Sequence, residues 1–271
     1  MNGLTVAKKD VRDTLRSQAL WALTMLFVTA LAGLTIGFVL SKRRASFPGL
    51  LAFVNALVIW LVPITALVLS YKAIVGEHET GTMAVLLSLP LSRADVVGGK
   101  AVGRAITVTG SILVGFLVMG VISAVLYAGF MPGLFLVFVG LSLLLGLVFT
   151  SVAIAVSAMT HSTVRAASGA IGSFVAFLFL WDLVPAAIYY LLHGTLPGSR
   201  YLPTWYFLLE RLNPKNAFTA IVTELHPTML SPLPSPAPFY LSTWFFLLVL
   251  VLWIVAPLVI GYGRFRTMEL R

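Results

Sequence analysis

Within Gly76-Glu77-His78-Glu79-Thr80-Gly81-Thr82, two carboxylates, an imidazole and two hydroxyls fall in seven consecutive positions, side chains able to hold a phosphate, a metal ion or a proton. The two glycines have the spacing of a nucleotide-binding loop, but Thr82 stands where a lysine must reach the phosphates, so no ATP is expected here. The four histidines make no metal centre either: His78, His161, His193 and His226 fall on different connecting segments, and no H-E-x-x-H occurs. No histidine lies deep in an apolar stretch beside a serine, and no pair of carboxylates lies inside one, which argues against intramembrane proteolysis and acid–base catalysis. The chain is expected to carry no catalytic, nucleotide-binding or metal-ligating residue of its own. With no cysteine it offers no thiol chemistry and no disulfide framework.

Composition sets the elements that must position these residues. Of 271 residues 59% are hydrophobic and 10% charged, with a mean hydropathy of +1.01, against roughly 45–50% and about 25% in soluble domains. The expected fold class is an all-α integral membrane protein, one transmembrane domain over residues 1–271. About 20 helical residues cross a bilayer, and the apolar windows place six spans near 19–40, 49–71, 104–127, 133–159, 166–192 and 239–262. The charge-free stretch from Ala105 to Thr160 is too long for one crossing, and it turns at Tyr127-Ala128-Gly129-Phe130-Met131-Pro132-Gly133, where proline and glycine end a helix.

Six crossings put both termini on one side. Twelve of the 18 lysines and arginines then lie on that side, which makes it cytoplasmic, although Lys42-Arg43-Arg44 falls on the other. The net charge of +9 sits beside membrane ends, where it meets anionic headgroups, and no basic surface is interleaved with aromatics, so nucleic acid is not an expected partner. No cleavable signal peptide is evident. Residues 1–18 read as an amphipathic helix on the cytoplasmic face, with Leu4, Val11 and Leu15 on one side and Lys8, Lys9, Arg12 and Arg16 as headgroup anchors. Residues 193–238 hold Trp205-Tyr206-Phe207-Leu208-Leu209, too apolar for an exposed loop, while Glu210, Arg211, Asn213 and Pro214 prevent a full span. An outer interfacial or re-entrant helical hairpin is expected there, followed by a stiff proline-rich connector from Pro227 to Pro238.

The segment 77–100 is a compact amphipathic insert between the second and third spans. Met83, Leu86 and Leu87 fall at i, i+3, i+4, so a short helix from about Thr80 to Leu89 presents one apolar face, and Pro90 ends it. Ser92-Arg93-Ala94-Asp95 has capping-box spacing and starts a new helix running to about Leu126, whose first turns stand outside the bilayer.

Glu79, Gly81, Thr82, Leu86-Leu87, Pro90, Ser92-Arg93 and Gly99-Lys100 resemble the E-x-G-T-x-x-x-L-L-x-x-P-x-S-R…G-K pattern of the type-two ABC export permeases, including the nitrous-oxide-reductase maturation permease branch. Weaker similarity lies in Lys9-Asp10 through Arg16-Ser17, in Leu212-Asn213-Pro214…Ala217-Phe218 and in the six-span layout. The resemblance implies a permease that dimerises, with a second copy or a homologue, and is driven by two copies of an ATPase subunit that hold the ATP and Mg. It implies that the short helix fits a groove in that subunit, with Glu77, Glu79, Gly81, Thr82, Met83, Leu86, Leu87, Pro90 and Arg93 as coupling residues. A substrate path lined by Asn55, Trp60, Phe174, Phe177 and Asp182 and a dimer contact through Ser168, Gly169 and Gly172 follow from the same resemblance. From sequence alone Asp182 is either a hydrogen-bonding residue at a helix end or a proton carrier, and the small-residue face is equally open to intramolecular packing. The alternative class is a self-sufficient membrane protein, such as a secondary carrier or an intramembrane enzyme. A carrier should show inverted repeats or broken midplane helices with ion ligands, and none is visible.

Overall fold

The computed structural model describes residues 3–41, 46–82, 92–127, 129–198, 202–225 and 238–267, which are almost wholly helical, with no strand among them. Met83, Leu86, Leu87 and Pro90 lie outside the described residues, as do most of the connector 227–238 and Lys42-Arg43-Arg44. The helices are α1 (Gly3–Leu15), α2 (Gln18–Ser41), α3 (Phe47–Ser70), α4 (Val75–Glu79), α5 (Arg93–Leu126), α6 (Pro132–Ala158), α7 (Thr163–Val175), α8 (Leu183–His193), α9 (Thr204–Arg211), α10 (Pro214–Glu224) and α11 (Thr243–Thr267). A π-turn, Ala176–Leu180, extends α7.

Six of these segments are long and apolar enough to cross a membrane: α2, α3, α5, α6, α7 with its π-turn, and α11. Their starts follow local chemistry. Ser46 accepts the amide of Gly49 ahead of α3, Pro132 opens α6 where its missing N–H costs nothing, and Ser92 and Asp95 form the reciprocal capping box that starts α5. At 34 residues α5 is about 50 Å long, longer than the roughly 30 Å hydrocarbon layer is thick, and its first turns hold Lys100 and Arg104.

Helix α6 is the centre of the bundle, packing on α3, α5, α7 and α11. Its Phe138 and Phe149 are fully buried, Phe138 edge-on to Phe116 of α5 and Phe149 edge-on to Phe177. A polar bond crosses between α2 and α5, where Thr24 and Ser111 hydroxyls lie 2.7 Å apart, the kind of interhelical contact that fixes register without much net energy.

One finding differs from the sequence reading. The stretch 166–192 is two helices, because the chain leaves the helix ladder at Trp181-Asp182 and restarts at Leu183. Helix α1 packs Val6, Ala7, Asp10 and Thr14 on α5, whereas Leu4 and Leu15, on the apolar side read from the sequence, stay exposed. Close approach through Gly99 and Gly103 explains this, since a Cβ at Gly99 would stand 2.5 Å from the Gly3 carbonyl oxygen and one at Gly103 2.8 Å from Asp10 Cβ. The basic face, Lys8, Lys9, Arg12 and Arg16, remains outward.

Candidate functional site

The described parts of the insert are bolted to the bundle at four points. Helix α4 begins where Ser157 of α6, fully buried, accepts the amides of both Ile74 and Val75 at 3.0 Å, satisfying two donors that a helix start leaves free. Glu79, at the other end of α4, accepts the amide of Thr163 at 2.6 Å and the Thr163 hydroxyl, so its carboxylate caps the first turn of the fifth span. Thr80 then caps α4, and Gly81 adopts φ +71°, a left-handed turn that favours glycine. Past the turn the Thr82 hydroxyl reaches back to the Glu77 carbonyl.

On the far side of the insert, the Arg93 guanidinium donates to the carbonyls of Phe265 and Arg266 at 2.7 and 2.9 Å and lies over the Phe265 ring. It thus satisfies carbonyls in the last turn of the sixth span and places a cation at that helix's negative end.

The fourth point is a buried ion cluster. Lys100 Nζ lies 2.9 Å from Asp10 Oδ1 and 2.8 Å from Glu77 Oε1, joining α1, α4 and α5 through one ammonium. Arg104 Nη2 donates to Asp10 Oδ1 at 3.2 Å, and its Nε sits 3.0 Å from Asp10 Oδ2 as an ion contact without hydrogen-bond alignment. Its other nitrogen donates to the Leu69 carbonyl at the end of the second span. Asp10 and Lys100 are 1% and 4% exposed, so these charges survive burial only by meeting each other. Lys9, half exposed, adds an outer contact to Glu77 at 3.3 Å. Sequence reading gave Glu77 a role but placed Lys100 and Asp10 only within the family resemblance, and it gave no role to Arg104, Ser157 or Thr163. The one available signal was Asp10, Lys100 and Arg104 lying on helix faces where a lone charge would be costly.

Of the path residues, Trp60 and Phe174 do meet, their rings 6.2 Å apart across α3 and α7. Beside them an apolar groove of about 330 Å³ runs between the two helices, lined by Ile64, Leu67, Tyr71, Ala170, Ile171 and Phe174. The others point elsewhere. Phe177 is buried against Phe149 and Trp253, Asn55 faces a small cavity bounded by Phe138 and Val222, and Asp182 pairs with Lys215 at 2.9 Å and Asn216 at 2.6 Å. The small-residue face is likewise divided: a Cβ at Gly169 would meet Val156 of α6 at 2.5 Å, while Gly172 faces open space and Ser168 is exposed. Among the described residues no group of three or more acidic or histidine side chains could hold a metal; His78 and His161 simply stack edge-on at 5.6 Å.

The described ends of the insert are thus tied by side chains to α1 and to the ends of the second, fourth, fifth and sixth spans. The family described as ABC-2 family transporter protein matches residues 4–270 of this chain. Two relatives, each named probable ABC transporter permease protein NosY, come from Pseudomonas aeruginosa and Stutzerimonas stutzeri. They are 34% and 32% identical over 97% and 96% of this chain, and over the same shares of their own lengths. A match of that extent to a bundle built this way leaves one conclusion: the chain belongs to the ABC-2 transporter family, as a multi-pass membrane permease of an ABC transporter, a family that works with an ATPase partner.

Proposed function

We propose that this permease serves an exporter, in which two copies of the chain, or one copy and a homologue, are driven by two ATPase subunits that carry the ATP and Mg. The ATPase docks on the segment 77–100 from the cytoplasm, where both termini also lie. The observation that carries this is the Glu79 carboxylate on the N-terminus of the fifth span: a push on the insert reaches that span through a direct side-chain link, and the Arg93 and Lys100 contacts carry it to the sixth span and to α1. Leu86 and Leu87 are the proposed anchors in the ATPase groove, with Met83 beside them, because buried apolar side chains hold most of the energy of such contacts. The apolar groove between α3 and α7, lined in part by Phe174, whose ring Trp60 meets, suits a hydrophobic or amphipathic substrate moved outward. Ser168 and Gly172, open on α7, are the small residues available to a second copy.

Co-purification with the ATPase subunit tests this. Leu86→Asp would bury an unpaired carboxylate in the docking contact, so the variant should reach the membrane in normal amount yet fail to retain the ATPase. Retention equal to the parent chain would sink the docking assignment, and ATP hydrolysis by the purified permease alone would sink the division of labour.

A further inference from the structure

The fifth span leaves α-helical geometry where it meets the short helices α9 and α10. The amide of Trp181 donates to the Ala176 carbonyl at 2.8 Å, five residues back, whereas the α pattern would have sent it to Phe177. The Phe177 carbonyl has therefore lost its ladder donor. The replacement comes from outside the helix: Asn213 Nδ2 donates to Phe177 O at 2.6 Å. Asn213 is fully buried, and its orientation is fixed because its Oδ1 accepts the Lys215 amide at 2.8 Å as the N-cap of α10. Lys215 Nζ reaches the next carbonyl, Leu178 O, at 3.4 Å and Asp182 at 2.9 Å, and Asn216 holds the other Asp182 oxygen at 2.6 Å. Two indole bonds close the joint, Trp181 Nε1 to Leu209 O and Trp253 Nε1 to Leu212 O, both 2.9 Å.

The inserted residue changes which side chains share a face. Residues five apart are about 140° apart around an α-helix with 3.6 residues per turn. Here Phe174 and Phe179, five apart, both lie against Trp60 of α3, at 6.2 and 5.0 Å, and 6.4 Å from each other. Phe177 meanwhile turns inward onto Trp253 at 4.8 Å. In an uninterrupted helix Leu178 would stand where Phe179 stands.

We infer that Asn213 and Lys215, with Asp182, are positioning residues that hold the fifth span in its π register and thereby assemble the Trp60–Phe174–Phe179 cluster between the second and fifth spans. The sequence around Asn213-Pro214 is thus a latch on a neighbouring helix as well as a turn. Only its consequence for translocation rests on the proposed path; the register itself is independent of any substrate or ATPase.

The chain has no cysteine, so introduced pairs report cleanly. In full-length protein in membranes, Trp60→Cys with Phe179→Cys should cross-link through a short bifunctional maleimide, and Trp60→Cys with Leu178→Cys should not. Asn213→Asp keeps the oxygen that caps α10, since aspartate caps as well as asparagine, but removes the donor to Phe177. It should invert the two yields, as should Asn213→Ser, which keeps a capping hydroxyl without a buried charge. Lys215→Arg should keep the parent pattern. An unchanged preference for position 179 in both Asn213 variants, or loss of both cross-links together, would overturn the inference, because a role confined to capping α10 moves neither yield.

Discussion

At the level of single residues, the largest stake lies in the buried ion cluster. Asp10→Ala would leave Lys100 and Arg104 without the carboxylate they share, and removing one partner from a buried ionic group costs about 3–5 kcal/mol. Lys9→Met, which removes the half-exposed outer contact to Glu77 and a 4.0 Å surface pair with Asp13, should cost below about 1 kcal/mol. Thermal unfolding in detergent should therefore separate the two variants clearly, and equal melting would deny the cluster its role. A second expectation concerns Glu210 in α9. Burial pushes its carboxyl above the ordinary value, against the pull of Arg211, with Asp182 adding to the rise. A folded-state value above the unfolded one favours the protonated form, so the stability this group contributes is full below the unfolded value and is lost as pH rises through the raised one. Glu210→Gln should remove that slope, leaving the variant more stable than the parent near neutral pH and similar in acid. A melting series across pH 4–7.5 checks it, and a variant less stable at neutral pH would contradict it. These residues were poorly legible in the sequence. Burial of a charge depends on distant partners, as with Lys100 and Asp10, 90 positions apart, and no local spacing announces that.

At the level of elements, local chemistry was legible where it is local. The Ser92–Asp95 capping box and the end of α5 at Leu126 follow from side-chain reach and from the proline and glycines beyond. The face of α1 was not legible, because its moment points Leu4 and Leu15 toward lipid while the glycines that accept the helix, Gly99 and Gly103, lie on another element. Nor was the π-turn, whose cause is a side chain on α10. Gly99→Leu tests the α1 contact: a side chain there has no space beside Gly3 and Val6. It should lift α1 from α5 and raise protease cleavage within residues 3–15, with the six long helices intact by circular dichroism. Unchanged cleavage would show that α1 does not depend on that contact.

At the level of the whole molecule, composition alone fixed the class, since 59% hydrophobic residues and six long apolar helices leave little else. The positive-inside expectation for the charged ends predicts that Arg165→Cys is labelled by an impermeant thiol reagent only from the cytoplasmic side and Thr195→Cys only from outside. Labelling of both from one side would dismantle the six-span arrangement. The central claim is that the insert moves the fifth span through Glu79. Spin labels on Ile171→Cys, exposed on α7, in the two permease copies of the assembled complex report that span directly. With the ATPase held in its nucleotide-bound state by Mg and a non-hydrolysable ATP analogue, the parent complex should show a shifted inter-label distance. The same complex carrying Glu79→Ala should retain and turn over its ATPase while the distance stays at the nucleotide-free value. A shift in the variant equal to that of the parent would contradict the account.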